Sequence, residues 1–152
     1  MSGSRSSSTG RIVVGVDGSA AASAALRWAV NQAQVTGETV QAVIAWQYPM
    51  SVAGCGWAPV VMDEGVNLEN FAEKTLTEAV DEVAGPGSGV TVERRVVEGY
   101  APNVLLAAAA DADLLVVGSR GHGAFADALL GSVSQHCAHH ARCPVVIVRA
   151  PA

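Results

Sequence analysis

The amino-acid sequence predicts an α/β fold, a doubly wound five-stranded parallel sheet of order 3-2-1-4-5, Rossmann-like, with helices on both faces. Three observations carry this expectation. Near-continuous apolar runs rich in valine recur along the chain, as strands covered on both faces require. Segments with apolar residues at helical spacing separate these runs, and a parallel neighbour is reached only through such a crossover. Two of the runs end in glycine-containing turns that open a helix, the place where open α/β sheets bind ligands.

Residues 1–10 are Ser/Gly-rich, too poor in apolar side chains to pack, and are expected to be a disordered tail ahead of a single domain over 11–152. Ile12-Val13-Val14-Gly15-Val16 reads as the central strand, ending in Asp17-Gly18-Ser19. A helix follows over Ala20 to Gln34, with Leu26, Ala29, Val30 and Ala33 on one face and Gly37 as its stop. Thr39 to Trp46 is the second strand, closed by Gln47-Tyr48-Pro49. Met50 to Gly65 lacks periodicity and reads as a long loop beside the cleft. Leu68, Phe71, Ala72, Leu76, Ala79 and Val83 mark the second helix, with Glu69, Glu73, Glu78 and Glu82 as its solvated faces. After the break at 85–89, Val90 to Val97 is an edge strand interrupted by Arg94 and Arg95. Pro102 suits the first turn of a short helix running through Ala110. Leu114 to Val117 is the fourth strand, Ser132 to Arg142 the last helix and Pro144 to Arg149 the last strand.

The fourth strand opens the stretch on which function turns, DLLVVGSRGHGAFADALLGSVS, with the spacing G-x2-G-x9-G-S at Gly118, Gly121 and Gly131-Ser132. Glycines permit positive φ and a close backbone approach, and free N–H groups at a helix start attract anions. Phosphate is the natural guest. Gly118, Gly121, Gly123 and Gly131 supply the approach, Ser132, Val133 and Ser134 the donors of the first helical turn, and Arg120 a mobile positive charge. At the other motif, Gly15 and Val16 lead to Asp17, an acidic residue at the end of the first strand. Asp17 and Ser19 both also suit the cap of the next helix.

The G-x2-G-x9-G-S pattern and its Ser132-Val133-Ser134 continuation closely resemble the ATP-binding signature of the universal stress protein family, and VGVDGS at 14–19 is a second point of likeness. The resemblance implies an ATP-binding stress-response and signalling module, a first strand ending in an acidic residue that faces the nucleotide, and adenine held by backbone near Trp46, through the ending Ala45-Trp46-Gln47-Tyr48-Pro49. It also implies a homodimer, which an uncovered apolar edge at Val145-Val146-Ile147-Val148 would favour. With ATP comes Mg²⁺, coordinated chiefly by phosphate oxygens and water.

Composition bounds the alternatives. A net charge of −5, with one lysine at Lys74 and no basic stripe, argues against nucleic acid. No apolar run is long enough for a membrane span, no signal peptide is visible, and three cysteines form no disulfide framework, so a cytoplasmic protein is expected. Neither a Walker A lysine, a G-x-S-x-G elbow nor an H-E-x-x-H motif is present, so no residue is assigned a catalytic role and turnover is expected to be slow or nil. Two other readings stand beside ATP. One is a different adenine nucleotide such as cyclic AMP, because glycines that cradle phosphate do not count phosphates. The other is a structural or zinc-binding dimer using His136, His140 and Cys143, at i, i+4 and i+7 of the last helix.

Overall fold

In the computed structural model, residues 10–48, 67–120 and 130–151 are described. The tail to residue 9, the loop over 50–65 and the loop residues Gly121, His122 and Gly123 lie outside them. In chain order the elements are β1 (Arg11–Val16), α1 (Ala20–Thr36), β2 (Thr39–Trp46), α2 (Leu68–Val83), β3 (Val92–Glu98), α3 (Ala101–Ala109), β4 (Leu114–Gly118), α4 (Ser132–His140) and β5 (Val145–Val148). The sheet runs β3-β2-β1-β4-β5 with every pairing parallel, as the sequence predicts.

Strand alternation divides the core into two layers. Ile12, Val14 and Val16 of β1 and Val40, Ala42 and Ile44 of β2 pack under α1 and α2. Val13, Val43, Leu115 and Val117 point the other way, under Leu105 and Ala109 of α3 and Cys137 of α4. The chain therefore lays its first two helices on one face, crosses beyond β1 to β4, and lays the last two on the other. Right-handed crossovers leave that arrangement with a gap between the carboxyl ends of β1 and β4.

Local chemistry fixes the helix ends. The Ser19 hydroxyl accepts the Ala22 N–H at 3.2 Å as the cap of α1, while Asp17 Oδ1 accepts the Ser19 N–H at 2.8 Å. Gly37, at φ 80°, stops the helix in the left-handed conformation that glycine adopts without strain. Asn67 caps α2 by accepting the Asn70 N–H at 3.1 Å.

Several details differ from the sequence reading, most of them element ends shifted by one or two residues. Phe71, expected with the apolar stripe of α2, is 70% exposed. It lies about 100° around the helix from Ala72, and the buried stripe is Ala72, Leu76, Ala79 and Val80. α4 stops at His140 rather than Arg142, because Ala141 turns extended at ψ 146° on the approach to Pro144. β3 begins at Val92, where pairing with Val40 starts, rather than at Val90.

Gln41, in the middle of β2, is buried and its Oε1 has no hydrogen-bond partner among the described residues. An unsatisfied buried acceptor costs about 1–3 kcal/mol. Gln41→Met, of similar shape, should therefore raise the urea midpoint by the equivalent of about 1 kcal/mol; an unchanged or lowered midpoint would show that the amide is paired in solution.

Candidate functional site

The gap at the switch point is an open cleft between the carboxyl ends of β1 and β4, the position where open α/β sheets bind ligands. Gly15, Val16 and Asp17 form one lip at the end of β1, and Gly118 and Arg120 the other beyond β4. Gly131, Val133 and Ser134 close it from the start of α4. Asp17 and Arg120 are exposed, so the two lips carry opposite charges above an apolar floor.

The start of α4 differs from those of α1 and α2. Gly131 stands at its N-cap, and no side chain among the described residues caps the first turn; α3 likewise lacks a side-chain cap, whereas the longer α1 and α2 have one. The first intrahelical bond runs from Gln135 N–H to Gly131 carbonyl at 3.0 Å. The N–H groups of Ser132, Val133 and Ser134 thus precede the helical ladder, and with the positive end of the helix dipole they make a place for an anion.

Backbone bonding holds that turn in place. Gly131 N–H donates to the Ser119 carbonyl at 2.6 Å, and the buried Ser134 hydroxyl lies 3.1 Å from the same carbonyl and 2.9 Å from that of Gly131. The Ser134 hydroxyl proton is therefore spent inside the protein, leaving its N–H and lone pairs for a ligand. Ser132 is exposed and does not line the cleft.

Neither of the two described motif glycines, Gly118 and Gly131, is required by a positive φ. Gly131 has φ −73° and ψ 167°, open to any residue, and Gly118 has no positive φ. A Cβ on Gly118 would stand 2.7 Å from the Ala21 carbonyl carbon, so this glycine lets the first turn of α1 press on the end of β4. Among the described residues of the site, positive φ is found at Gly18, at 84°, in the turn after Asp17.

Trp46 does not line the cleft. It is half-buried against the α1–α2 layer, meets Tyr48 edge-on at 5.4 Å, and its carbonyl accepts the Gly99 N–H at 2.8 Å. The floor is made instead by Val43 and Ala45, with Ala101 and Leu105 of α3 opposite. Sequence reasoning missed these residues, although the two-residue period of β2 already places Val43 and Ala45 on one face, opposite Trp46.

The zinc reading loses its third ligand. His136 and His140 lie with ring centroids 4.6 Å apart, but Cys143 is three residues past the end of α4 and packs with the α3–α4 layer. Burial, with Cys143 adding to it, pushes the Cys137 thiol from its ordinary 9.0 up to about 11, and burial also raises that of Cys143. Both stay neutral at physiological pH, a poor state for metal ligation. Among the described residues no three histidine, cysteine or acidic groups converge on a metal position.

Residues 9–149 match the family described as "Universal stress protein family". A universal stress protein of Mycobacterium tuberculosis is 34% identical over 151 residues, covering 98% of this chain and 52% of its own length. One from Mycolicibacterium smegmatis is 35% identical over 139 residues, covering 90% and 47%; the chain spans about half the length of these relatives. Among solved structures, a universal stress protein in complex with cAMP is 28% identical, with TM-score 0.67 and coverage of 95% of this chain and 100% of the other. The universal stress protein from Archaeoglobus fulgidus in complex with dAMP is 25% identical, with TM-score 0.61 and coverage of 91% and 96%.

The contacts of the two strand-end glycines predict separable effects. Gly118→Ala sets a methyl against backbone that cannot yield and should cost about 1–3 kcal/mol in urea denaturation. Gly15→Ala meets the movable Leu105 Cδ1 at 2.8 Å, so its loss should be smaller and its main effect a narrowed cleft. Equal losses would show that Leu105 is as fixed as the backbone of α1.

Proposed function

The chain belongs to the universal stress protein family, and from that premise we propose that it is an ATP-binding member, a nucleotide-binding stress-response and signalling module rather than a catalyst. The observation that carries the reading is the start of α4, where the first-turn residues Val133 and Ser134 line the cleft at the switch point and their N–H groups precede the helical ladder. Phosphate would sit there, with Arg120 above it and the nucleoside directed across the floor of Val43 and Ala45 toward Asp17. Solved relatives in complex with cAMP and dAMP support an adenine nucleotide in this fold. They also keep a cyclic or monophosphate nucleotide as the second reading.

The donor set at the phosphate end is N–H groups and a guanidinium, which suits an anion and not a bare cation. Mg²⁺ fits as a companion of the phosphates, neutralising their charge and held by their oxygens and water. Among the described residues lining the cleft, the ionisable groups are Asp17 and Arg120. An exposed carboxylate and a guanidinium form no nucleophile–base pair, and this supports binding with little or slow turnover. Communication with an unidentified protein partner, in the cytoplasm, completes the proposal; no helix among the described residues is long and apolar enough to cross a membrane.

We place self-association at β5. Its neighbour-facing residues are set by the Leu115 N–H to Pro144 carbonyl bond at 3.0 Å and the Ser119 N–H to Val148 carbonyl bond at 2.7 Å. Residues 144, 146 and 148 therefore face β4, and Val145 and Ile147 turn their backbone groups to the free edge. That edge carries no charged side chain, unlike β3 with Glu93, Arg94 and Arg95.

Two measurements test the proposal. Freshly purified protein should release ATP on denaturation, and the stripped protein should bind Mg-ATP by calorimetry more tightly than cyclic AMP. Ala45→Leu, which fills the floor, should weaken binding at least about tenfold, since a buried pocket has no room for added methyls. No nucleotide and no heat would refute the reading, and tighter binding of cyclic AMP would move it to the second one. Light scattering should give about twice the 15.5 kDa chain mass, and Ile147→Pro, which removes an edge N–H without touching the β4 pairing, should give the monomer; an unchanged mass would exclude this edge.

A further inference from the structure

A second pocket adjoins the cleft on the β5 side, lined among the described residues by Ser119, Arg120, Arg149 and Ala150. Arg120 lines both cavities. Register places Gly118 beside Val148, and the Ser119 N–H bond to the Val148 carbonyl continues that pairing one residue further. The segments just past β4 and β5 are thereby held side by side, and Arg149 reaches the pocket from a fixed backbone. Both arginines are exposed, and among the described residues neither is paired with a carboxylate; the ion pair present there joins Arg94 to Asp81 on the opposite edge. Two unpaired guanidinium groups sharing one cavity are conspicuous in a chain of net charge −5.

We infer that this pocket is the subsite for the distal phosphates of a nucleoside di- or triphosphate, and that Arg149 is a binding residue for them. The inference rests on the nucleotide reading above. A phosphate chain that starts at the N–H groups of α4 and runs past Arg120 enters the second pocket, where a planar guanidinium fork matches phosphate oxygens in charge and geometry. A monophosphate or cyclic nucleotide ends at α4 and leaves Arg149 untouched. The subsite thus gives the chain a means of counting phosphates that the glycine loop alone lacks.

The test is calorimetric titration of the full chain with ATP, ADP and AMP in the presence of Mg²⁺, for the wild type and for Arg149→Gln and Arg149→Lys. Arg149 is exposed, so both variants should fold, as melting curves would verify. Arg149→Gln should weaken ATP about tenfold, the loss expected for a charge-assisted hydrogen bond, and weaken AMP less than about twofold. Arg149→Lys should recover part of the loss, since charge is kept and the fork is not. Equal losses on ATP and AMP, or none on ATP, would overturn the subsite while leaving nucleotide binding intact. Failure of the wild type to bind any of the three would overturn the nucleotide reading, and the subsite with it.

Discussion

The first turn of α1 lies against the end of β4 with no side chain between them, and the cleft depends on that contact. Ala21 can approach only because position 118 lacks a Cβ; a methyl there would meet the Ala21 backbone at 2.7–2.9 Å. A wider spacing would move the Asp17-Gly18-Ser19 turn away from Arg120 and separate the lips of the cleft. Ser119, the next residue, then ties two further parts to the same point. Its N–H holds β5 and its carbonyl holds Gly131 and Ser134. One short segment thus positions α1, α4 and the last strand together.

Much of this was legible in the sequence, and the reasons are local. Five β-branched runs and the helical periods between them point to a parallel, doubly wound sheet, because right-handed crossovers leave few alternatives. Asp17, Gly118, Arg120, Gly131, Val133 and Ser134 stand out in the sequence because helix starts after glycine turns have a recognisable pattern, and the structure brings all of them to one cleft. What escaped depended on contacts distant in sequence. Nothing near Gly118 announces that its neighbour is Ala21, nor near Ser134 that its hydroxyl faces Ser119. The Trp46 side chain turns away from the cleft for a simple reason: strand side chains alternate, and Ala45 holds the position on the cleft face. Arg149 became visible only when register placed it beside Ser119.

The two edges of the sheet illustrate how the same exposure problem is solved differently. β3 is exposed at Glu93, Arg94 and Arg95, and Arg94 reaches Asp81 of α2 at 3.2 Å. Charged side chains on an edge discourage another chain from pairing there. β5 is Val-Val-Ile-Val, all partly exposed and uncharged. A strand of this kind left unpaired would be an aggregation hazard, and its composition supports the self-association proposed at β5.

An acidic chain that binds an anion would be inconsistent only if net charge governed the site. At physiological ionic strength exposed charges are screened beyond about 8 Å, so the glutamates of α2, under the other sheet face, contribute little at the carboxyl ends of β4 and β5. What acts there is short-ranged: the first-turn N–H groups of α4, the helix dipole and two guanidinium groups without carboxylate partners among the described residues. On the proposed reading these donors occur in sequence along the cleft, so the first part of the site would recognise any phosphate, while only a longer chain of phosphates would engage the last. Recognition of the nucleoside and counting of its phosphates would then be separate tasks, assigned to separate strands of one sheet.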